Sequence, residues 1–315
     1  MFNIFENPVE TSSSDETEIS SNYSIRESNA SSASSLPSSK TFVVSVGGSV
    51  IFDGKPNTEF ISKLSKSLNA LTSRGYKFVL VPGGGTLARE LISSAKTLGA
   101  SNFSCDEFGI MACKINGMFL LQGISNVFPS MVEDVREIKQ SLLLSNIIVL
   151  RGHFMPASTS DTMAAIAAEN LGCPMINLTN VDGFYSNDPR VDPSALLFEK
   201  LSFKRLIQLI AREGLGEPGQ HVPLDIMTSL VLNRSKITTY IVNAHNFENL
   251  ENLVQGLQFK GTTIYDDKSN SSKIDSPALS SQSASGFANS SFVNQTTSPN
   301  SSEQESDEKP FSYFD

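Results

Sequence analysis

The string Pro82-Gly83-Gly84-Gly85-Thr86-Leu87-Ala88-Arg89 is the first place in this chain where residue type and spacing suggest chemistry. Consecutive glycines lose more backbone freedom on folding than an ordinary turn requires. In return the main chain can approach a ligand closely, and its amides can surround an anion. The helix predicted to follow aims its positive dipole end at the loop. Arg89 lies one turn into that helix, where a guanidinium can fork onto a phosphate oxygen. Gly47-Gly48-Ser49 repeats the theme more weakly and, taken alone, reads equally as a tight turn or a phosphate cradle. A third string, Thr179-Asn180-Val181-Asp182-Gly183-Phe184-Tyr185-Ser186-Asn187-Asp188-Pro189, is rich in turn formers. Neither GxxxxGK followed by Ser or Thr, nor GxGxxG with a downstream ribose acid, is present. That argues against a P-loop NTPase and a dinucleotide-binding dehydrogenase.

These strings need a scaffold that brings them together. Phe42-Val43-Val44-Ser45-Val46 is a β-branched run and predicts a strand. Phe60, Ile61, Leu64, Leu68 and Leu71 recur at helical spacing and predict a helix over 60–71. Gly75 ends that helix, 76–81 reads as a second strand, and 86–98 reads as the next helix. Further helices are predicted over 110–124, 133–144, 162–170, 203–211, 224–233 and 248–257. Further strands are predicted over 147–150, 175–178, 239–242 and 262–264. Near-continuous apolar strands alternating with helices imply a mainly parallel sheet covered on both faces, a three-layer α/β sandwich. Ligands in such sheets bind beyond the carboxyl ends of the strands, and all three strings follow predicted strands.

Arranged as TNVDG-aromatic-Tyr-x-x-Asp-Pro, the third string resembles the loop with which the amino acid kinase family holds the adenine and ribose of ATP. GGGxxAR followed by Asp106, Gly109 and Asn116 is similar to the uridylate kinase branch of that family, as is Pro156 followed by Thr159-Ser160-Asp161. Asp225 and Gly261-Thr262-Thr263-Ile264 match the archaeal-type subgroup, so the resemblance runs from Thr41 to Ile264. It implies the amino acid kinase fold and the reaction ATP + UMP → ADP + UDP, with Mg²⁺ accompanying ATP, in pyrimidine nucleotide biosynthesis. By position, Gly48, Ser49, Gly85, Arg89, Thr179, Tyr185 and Asp188 would hold ATP. Gly84, Asp106 and the loop of Phe154, Met155, Pro156, Ala157, Ser158, Thr159 and Ser160 would hold UMP, with Asp106 at the ribose hydroxyls. Asp161 matches the family's acidic organiser of the catalytic centre and acts with Arg89; no residue is assigned to a protein-held metal. The resemblance also implies a homohexamer built from dimers through the early helices. The stripe over 60–71 suits such an interface and suits core packing equally well.

Several positions depart from the family pattern. Ser45 stands where many relatives carry a lysine, and Leu230, five residues after Asp225, stands where a second lysine is expected. Lys114 replaces an arginine, Gly152-His153 a Gly-Gly pair, and Ala157 the glycine after Pro156. His153 reads more readily as an ordinary loop histidine than as a catalytic one. Phosphoryl transfer depends on positive charge around the transferred group, and losing one preorganised charge costs about 10²–10³ in rate. The expectation is therefore a UMP kinase with a weakened charge clamp. The alternative is a nucleotide- or anion-binding storage protein of the same fold; Asp106 and Thr159-Ser160-Asp161 favour the kinase.

Composition bounds the rest. Of the 315 residues, 1–40 and 265–315 are dominated by Ser, Asn, Thr and acidic side chains, and are expected to form disordered tails around one domain over 41–264. The net charge of −9 comes without a Lys/Arg cluster, which argues against a nucleic-acid surface. Cys105, Cys113 and Cys173 show no metal-ligand spacing and read as small buried apolar residues. No basic start leads into an apolar run, and the patch over 142–150 is too short for a bilayer, so no membrane association and a cytoplasmic location are expected.

Overall fold

The computed structural model describes residues 39–152, 155–187, 189–213 and 224–267. Their order is β1 (Thr41–Val46), α1 (Gly48–Ile51), α2 (Thr58–Thr72), β2 (Lys77–Pro82), α3 (Gly85–Thr97) and α4 (Asn102–Gly123). A 3₁₀ turn (Val135–Glu137) leads into α5 (Ile138–Leu144), then β3 (Ile147–Val149), α6 (Ser160–Leu171), β4 (Met175–Thr179) and β5 (Lys200–Ser202). The described chain closes with α7 (Phe203–Glu213), α8 (Ile226–Ser235), β6 (Thr239–Asn243), α9 (Phe247–Val254) and β7 (Thr262–Tyr265). The tails expected over 1–40 and 265–315 lie outside the described residues, apart from Ser39–Lys40 and Tyr265–Asp267.

The strands form one seven-stranded sheet in the order β3-β2-β1-β4-β6-β7-β5. Its register places Val43 of β1 beside Val79 of β2 and Met175 of β4. All pairings are parallel except β6 with β7. The period of two along each strand divides the core between the two faces. Val43, Val79, Ile148, Met175 and Ile241 pack with α5 to α8, while Phe42, Val44, Leu80, Ile176 and Val242 pack with α2, α4 and α9. Both faces are therefore covered, as the continuous apolar strands imply.

Two helices bear on the sequence expectation, one by deciding between two readings and one by departing from its predicted bounds. The stripe Phe60, Ile61, Leu64, Leu68 and Leu71 on α2 is buried in the core, so it offers no interface. On α4, which begins eight residues earlier than its periodicity suggests, Ser101 caps the first turn by accepting from Ser104 N at 3.2 Å. Here both sides are apolar: Cys105, Ala112, Cys113 and Leu120 are buried, while Phe108, Met111, Ile115 and Met118 are exposed. An amphipathic period is consequently absent from α4. The three-residue strand β5 carries too little pattern to be seen in the sequence.

Candidate active site

Strand order reverses between β1 and β4, and the carboxyl ends of β1, β2, β4 and β6 open there onto a cleft of about 840 Å³. Two glycine loops form its floor and touch backbone to backbone. A Cβ on Gly48 would lie 2.3 Å from Gly85 N and 2.4 Å from Gly83 O, and one on Gly85 would lie 2.1 Å from the Gly48 carbonyl carbon. Gly85 also has φ +57°, a conformation that side chains disfavour. Gly47-Gly48-Ser49 is thus more than a turn: it is half of a joint that only glycine permits. Asn116 on α4 sets the shape of the other half, its Nδ2 donating to Gly83 O at 2.7 Å and to Gly84 O at 3.2 Å.

Cations stand above this floor. Arg89 lines the cleft, and its Nη2 donates to Thr86 Oγ1 at 3.0 Å. Burial lowers the pKa of its guanidinium and the neighbouring Arg190 lowers it further, with Asp53 and Glu90 opposing. Arg190 lines the same cleft. Two guanidiniums gathered beside glycine amides make a site for a multiply charged anion.

Asp161 occupies the first turn of α6 and faces the cleft. Ser45 Oγ donates to its Oδ1 at 2.6 Å, which brings together residues 116 positions apart. Burial pushes this carboxyl up to about 7; the Ser45 hydrogen bond opposes the rise and Asp225 adds to it. The start of α6 is fixed by a chain of caps. Thr159 Oγ1 accepts from Thr162 N at 3.1 Å and donates to Asp225 Oδ2 at 2.5 Å, while Asp225 caps α8 by accepting from Thr228 N at 2.9 Å. Two helix amino termini, α6 and α8, are thereby tied to one carboxylate.

Thr179, Asn180, Gly183, Phe184 and Tyr185 close one wall of the cleft. With glycine floor, guanidiniums and this wall in place, the sequence family model for the Amino acid kinase family matches residues 40–243. The chain belongs to the amino acid kinase family. Uridylate kinase from Archaeoglobus fulgidus is 36% identical over 223 residues, covering 70% of this chain and 98% of that protein. Uridylate kinase from Pyrococcus abyssi is 34% identical over 224 residues, covering 70% and 98%. The crystal structure of the Archaeoglobus fulgidus uridylate kinase matches with a TM-score of 0.61 at 35% identity, over 71% of this chain and 99% of that one. A UMP kinase from Bacillus anthracis, at 17% identity and a TM-score of 0.60 over 72% and 96%, shares the fold.

Within this amino acid kinase domain, the positions singled out by sequence fall into three groups. Gly48, Ser49, Gly84, Gly85, Arg89, Ser160, Asp161, Thr179 and Tyr185 line the cleft. Asp106 and the loop from Met155 to Thr159 adjoin it through Ser160, and Asp106 Oδ2 accepts from Ala157 N at 2.8 Å. His153, Phe154 and Asp188 lie outside the described residues. Ala157 has φ +62°, the left-handed conformation that a glycine adopts freely.

The departures from the family pattern sort by position as well. Ser45 lines the cleft, whereas Leu230 is half-exposed on α8 and is not among the lining residues. Neither Lys114, exposed on α4, nor Arg151, paired with Glu133 at 3.1 Å, is among them. Cys113 is fully buried, and burial lifts its thiol to about 12, which leaves it an inert filler beside Asp161. Sequence reasoning passed over Asp53, Asn177, Arg190 and His245, all of which line the cleft. A basic residue directly after Asp188-Pro189 is a signal that would have found Arg190. Asn177, polar between Ile176 and Leu178 on a buried strand, is a second.

Proposed function

We propose that this protein transfers the γ-phosphate of ATP to UMP, releasing ADP and UDP, and so serves pyrimidine nucleotide supply in the cytoplasm. The observation that carries the reading is a single cleft with a glycine floor, guanidiniums beside it and the Thr179–Tyr185 wall; the loop held by Asp106 at Ala157 joins this cleft through Ser160. The names of the archaeal relatives support the acceptor.

In this reading Gly48, Ser49, Gly85, Thr179 and Tyr185 hold ATP, with Asp188 continuing the same loop. Gly84, Asp106 and residues 154–160 hold UMP. Phosphoryl transfer asks the protein for alignment and for stabilisation of charge on the equatorial oxygens. Glycine amides, the amino terminus of α6 and the Arg89 guanidinium supply that charge, and Arg190, which lines the same cleft, adds a second guanidinium. Asp161, held by Ser45, fixes the geometry where the two substrates meet. Mg²⁺ bound with ATP would supply further positive charge on the phosphates. The cleft's carboxylates, Asp53 and Asp161, suit an ion carried mainly by phosphate oxygens, because Mg²⁺ is usually bound through one or two carboxylates plus substrate. Such a cation would favour the ionised form of Asp161.

Assembly belongs to the same reading. The exposed side chains Phe108, Met111, Ile115 and Met118 repeat at intervals of three and four along α4, the spacing by which helices pack. A second copy of the chain, pairing α4 with α4, is the proposed occupant, and such dimers would build the hexamer. Among the described residues no helix is long and apolar enough to cross a membrane.

A coupled ADP-release assay with UMP, CMP, acetylglutamate and isopentenyl phosphate as acceptors tests the function. UMP is expected to give the highest kcat/KM, and chromatography should show UDP. Tight calorimetric binding of ATP and UMP with no UDP formed over hours under Mg²⁺ would replace the kinase with a nucleotide-binding protein. Light scattering at micromolar concentration tests assembly, where a monomeric mass would refute it.

A further inference from the structure

The nucleotide wall is held from behind by a segment that does not line the cleft. Thr262, fully buried on β7, accepts from Phe184 N at 2.8 Å and donates to Phe198 O at 2.6 Å. One hydroxyl thus closes the base of a loop whose arms also pair through Phe198 N to Phe184 O at 2.9 Å, Ser186 N to Leu196 O at 2.9 Å, and a bridge between Tyr185 and Leu197. The approach is close: a Cβ on Gly183 would lie 2.5 Å from Thr262 Oγ1. Two residues earlier, Lys260 Nζ reaches Asp182 Oδ2 at 2.6 Å, and Asn243 Nδ2 donates to Asp182 Oδ1 at 3.0 Å. Lys260 is itself fixed by Asn249, which donates to Lys260 O and accepts from Lys260 N, both at 2.7 Å. Gly183, Phe184 and Tyr185 line the cleft; Lys260, Thr262 and Asn249 do not.

We propose that Lys260-Gly261-Thr262 is a clasp that positions the nucleotide loop, with Thr262 and Lys260 acting on ATP affinity through Phe184 and Asp182 rather than by contact. This rests on the reading of the cleft as an ATP site. Its physical basis is that both ends of a hairpin must be placed before its tip can present a preformed surface, and loop ordering on binding weakens affinity. Thr262 satisfies a buried N–H and a partly buried carbonyl, and the N–H has no water to replace the hydroxyl. Valine has the same shape without the hydroxyl, so Thr262→Val leaves packing intact and orphans the Phe184 N–H.

The test uses the full chain carrying Thr262→Val, Thr262→Ser or Lys260→Met, with steady-state kinetics for each substrate and calorimetry of ATP. Thr262→Val is expected to raise the KM and Kd for ATP about 10-fold, leaving the KM for UMP and kcat within about twofold. Thr262→Ser, which keeps the hydroxyl, is expected to restore wild-type values. An unchanged ATP Kd in Thr262→Val, an equal rise in both KM values, or failure of serine to restore binding would overturn the clasp. Should Thr262→Val not fold, the exposed pair decides: Lys260→Met is expected to raise ATP Kd about threefold, and no change would overturn the proposal. Wild-type protein that binds no ATP would instead refute the reading of the cleft, a distinguishable failure.

Discussion

The two sides of the cleft are built differently. On the proposed donor side, Phe184 is buried, its N–H is met by Thr262, and Asp182 is anchored to Lys260 and Asn243. On the proposed acceptor side, Met155 is exposed, Ala157 is held in a left-handed conformation, and the loop meets α4 through Ala157 N and Asp106. One wall is set by the sheet before any ligand arrives. The other rides on a loop that meets α4 through the Ala157 N–H and Asp106. Substrate pairs with unequal preorganisation respond unequally to substitution, which makes the difference measurable.

The largest expected effect comes where the two sides meet. Asp161→Asn should lower kcat by about 10²–10³ and leave both KM values nearly unchanged, because it removes charge organisation rather than binding. It should also stabilise the fold at high pH. The folded carboxyl, at about 7, keeps a proton that the unfolded chain releases near 3.8, so stability falls as pH rises across that window. The melting temperature of Asp161→Asn should therefore exceed that of wild type by about 5 °C at pH 8, with the gap closing toward pH 4. A constant gap across pH would show that this carboxyl does not titrate as described.

Next in size, Asp106→Ala should raise the KM for UMP about 10- to 100-fold, the range of a hydrogen bond to a charged group, and leave the KM for ATP alone. Equal changes in both would erase the distinction between the two sides. A third comparison sharpens it. Ser45→Lys places an ammonium beside Asp161 and should raise kcat about 10-fold and shift the pH–rate profile downward. Leu230→Lys, on the exposed face of α8, should change kcat by less than about threefold. The smallest effect is expected from Ala157→Gly, which relieves the left-handed alanine by about 1 kcal/mol and should raise the melting temperature by about 2–4 °C.

Much of the fold is legible in local pattern. The β-branched runs of β1 and β2, the stripe of α2 and the glycines after each strand specify a parallel sheet because each obeys a short-range period. What failed was local as well. The helix predicted over 110–124 starts eight residues earlier, at the Ser101 cap, and because α4 is apolar on both sides its first turns carry no one-sided stripe to mark them. The candidate site was partly legible. Strings such as Pro82 to Arg89 mark themselves by composition, whereas Asp53 and His245 are ordinary residues whose place beside the cleft depends on the sheet.

By itself the sequence determined the family, the alternation of strand and helix, and the positions where only glycine would serve, since these follow from residue type and neighbours a few positions away. Tertiary structure alone decided that Ser45 meets Asp161 across 116 positions and that Ser45 lines the cleft while Leu230 does not. It also decided that the apolar face left exposed is on α4 rather than α2. Burial and charge environment belong to what packs against a residue, and a chain acquires those neighbours only when its sheet has formed.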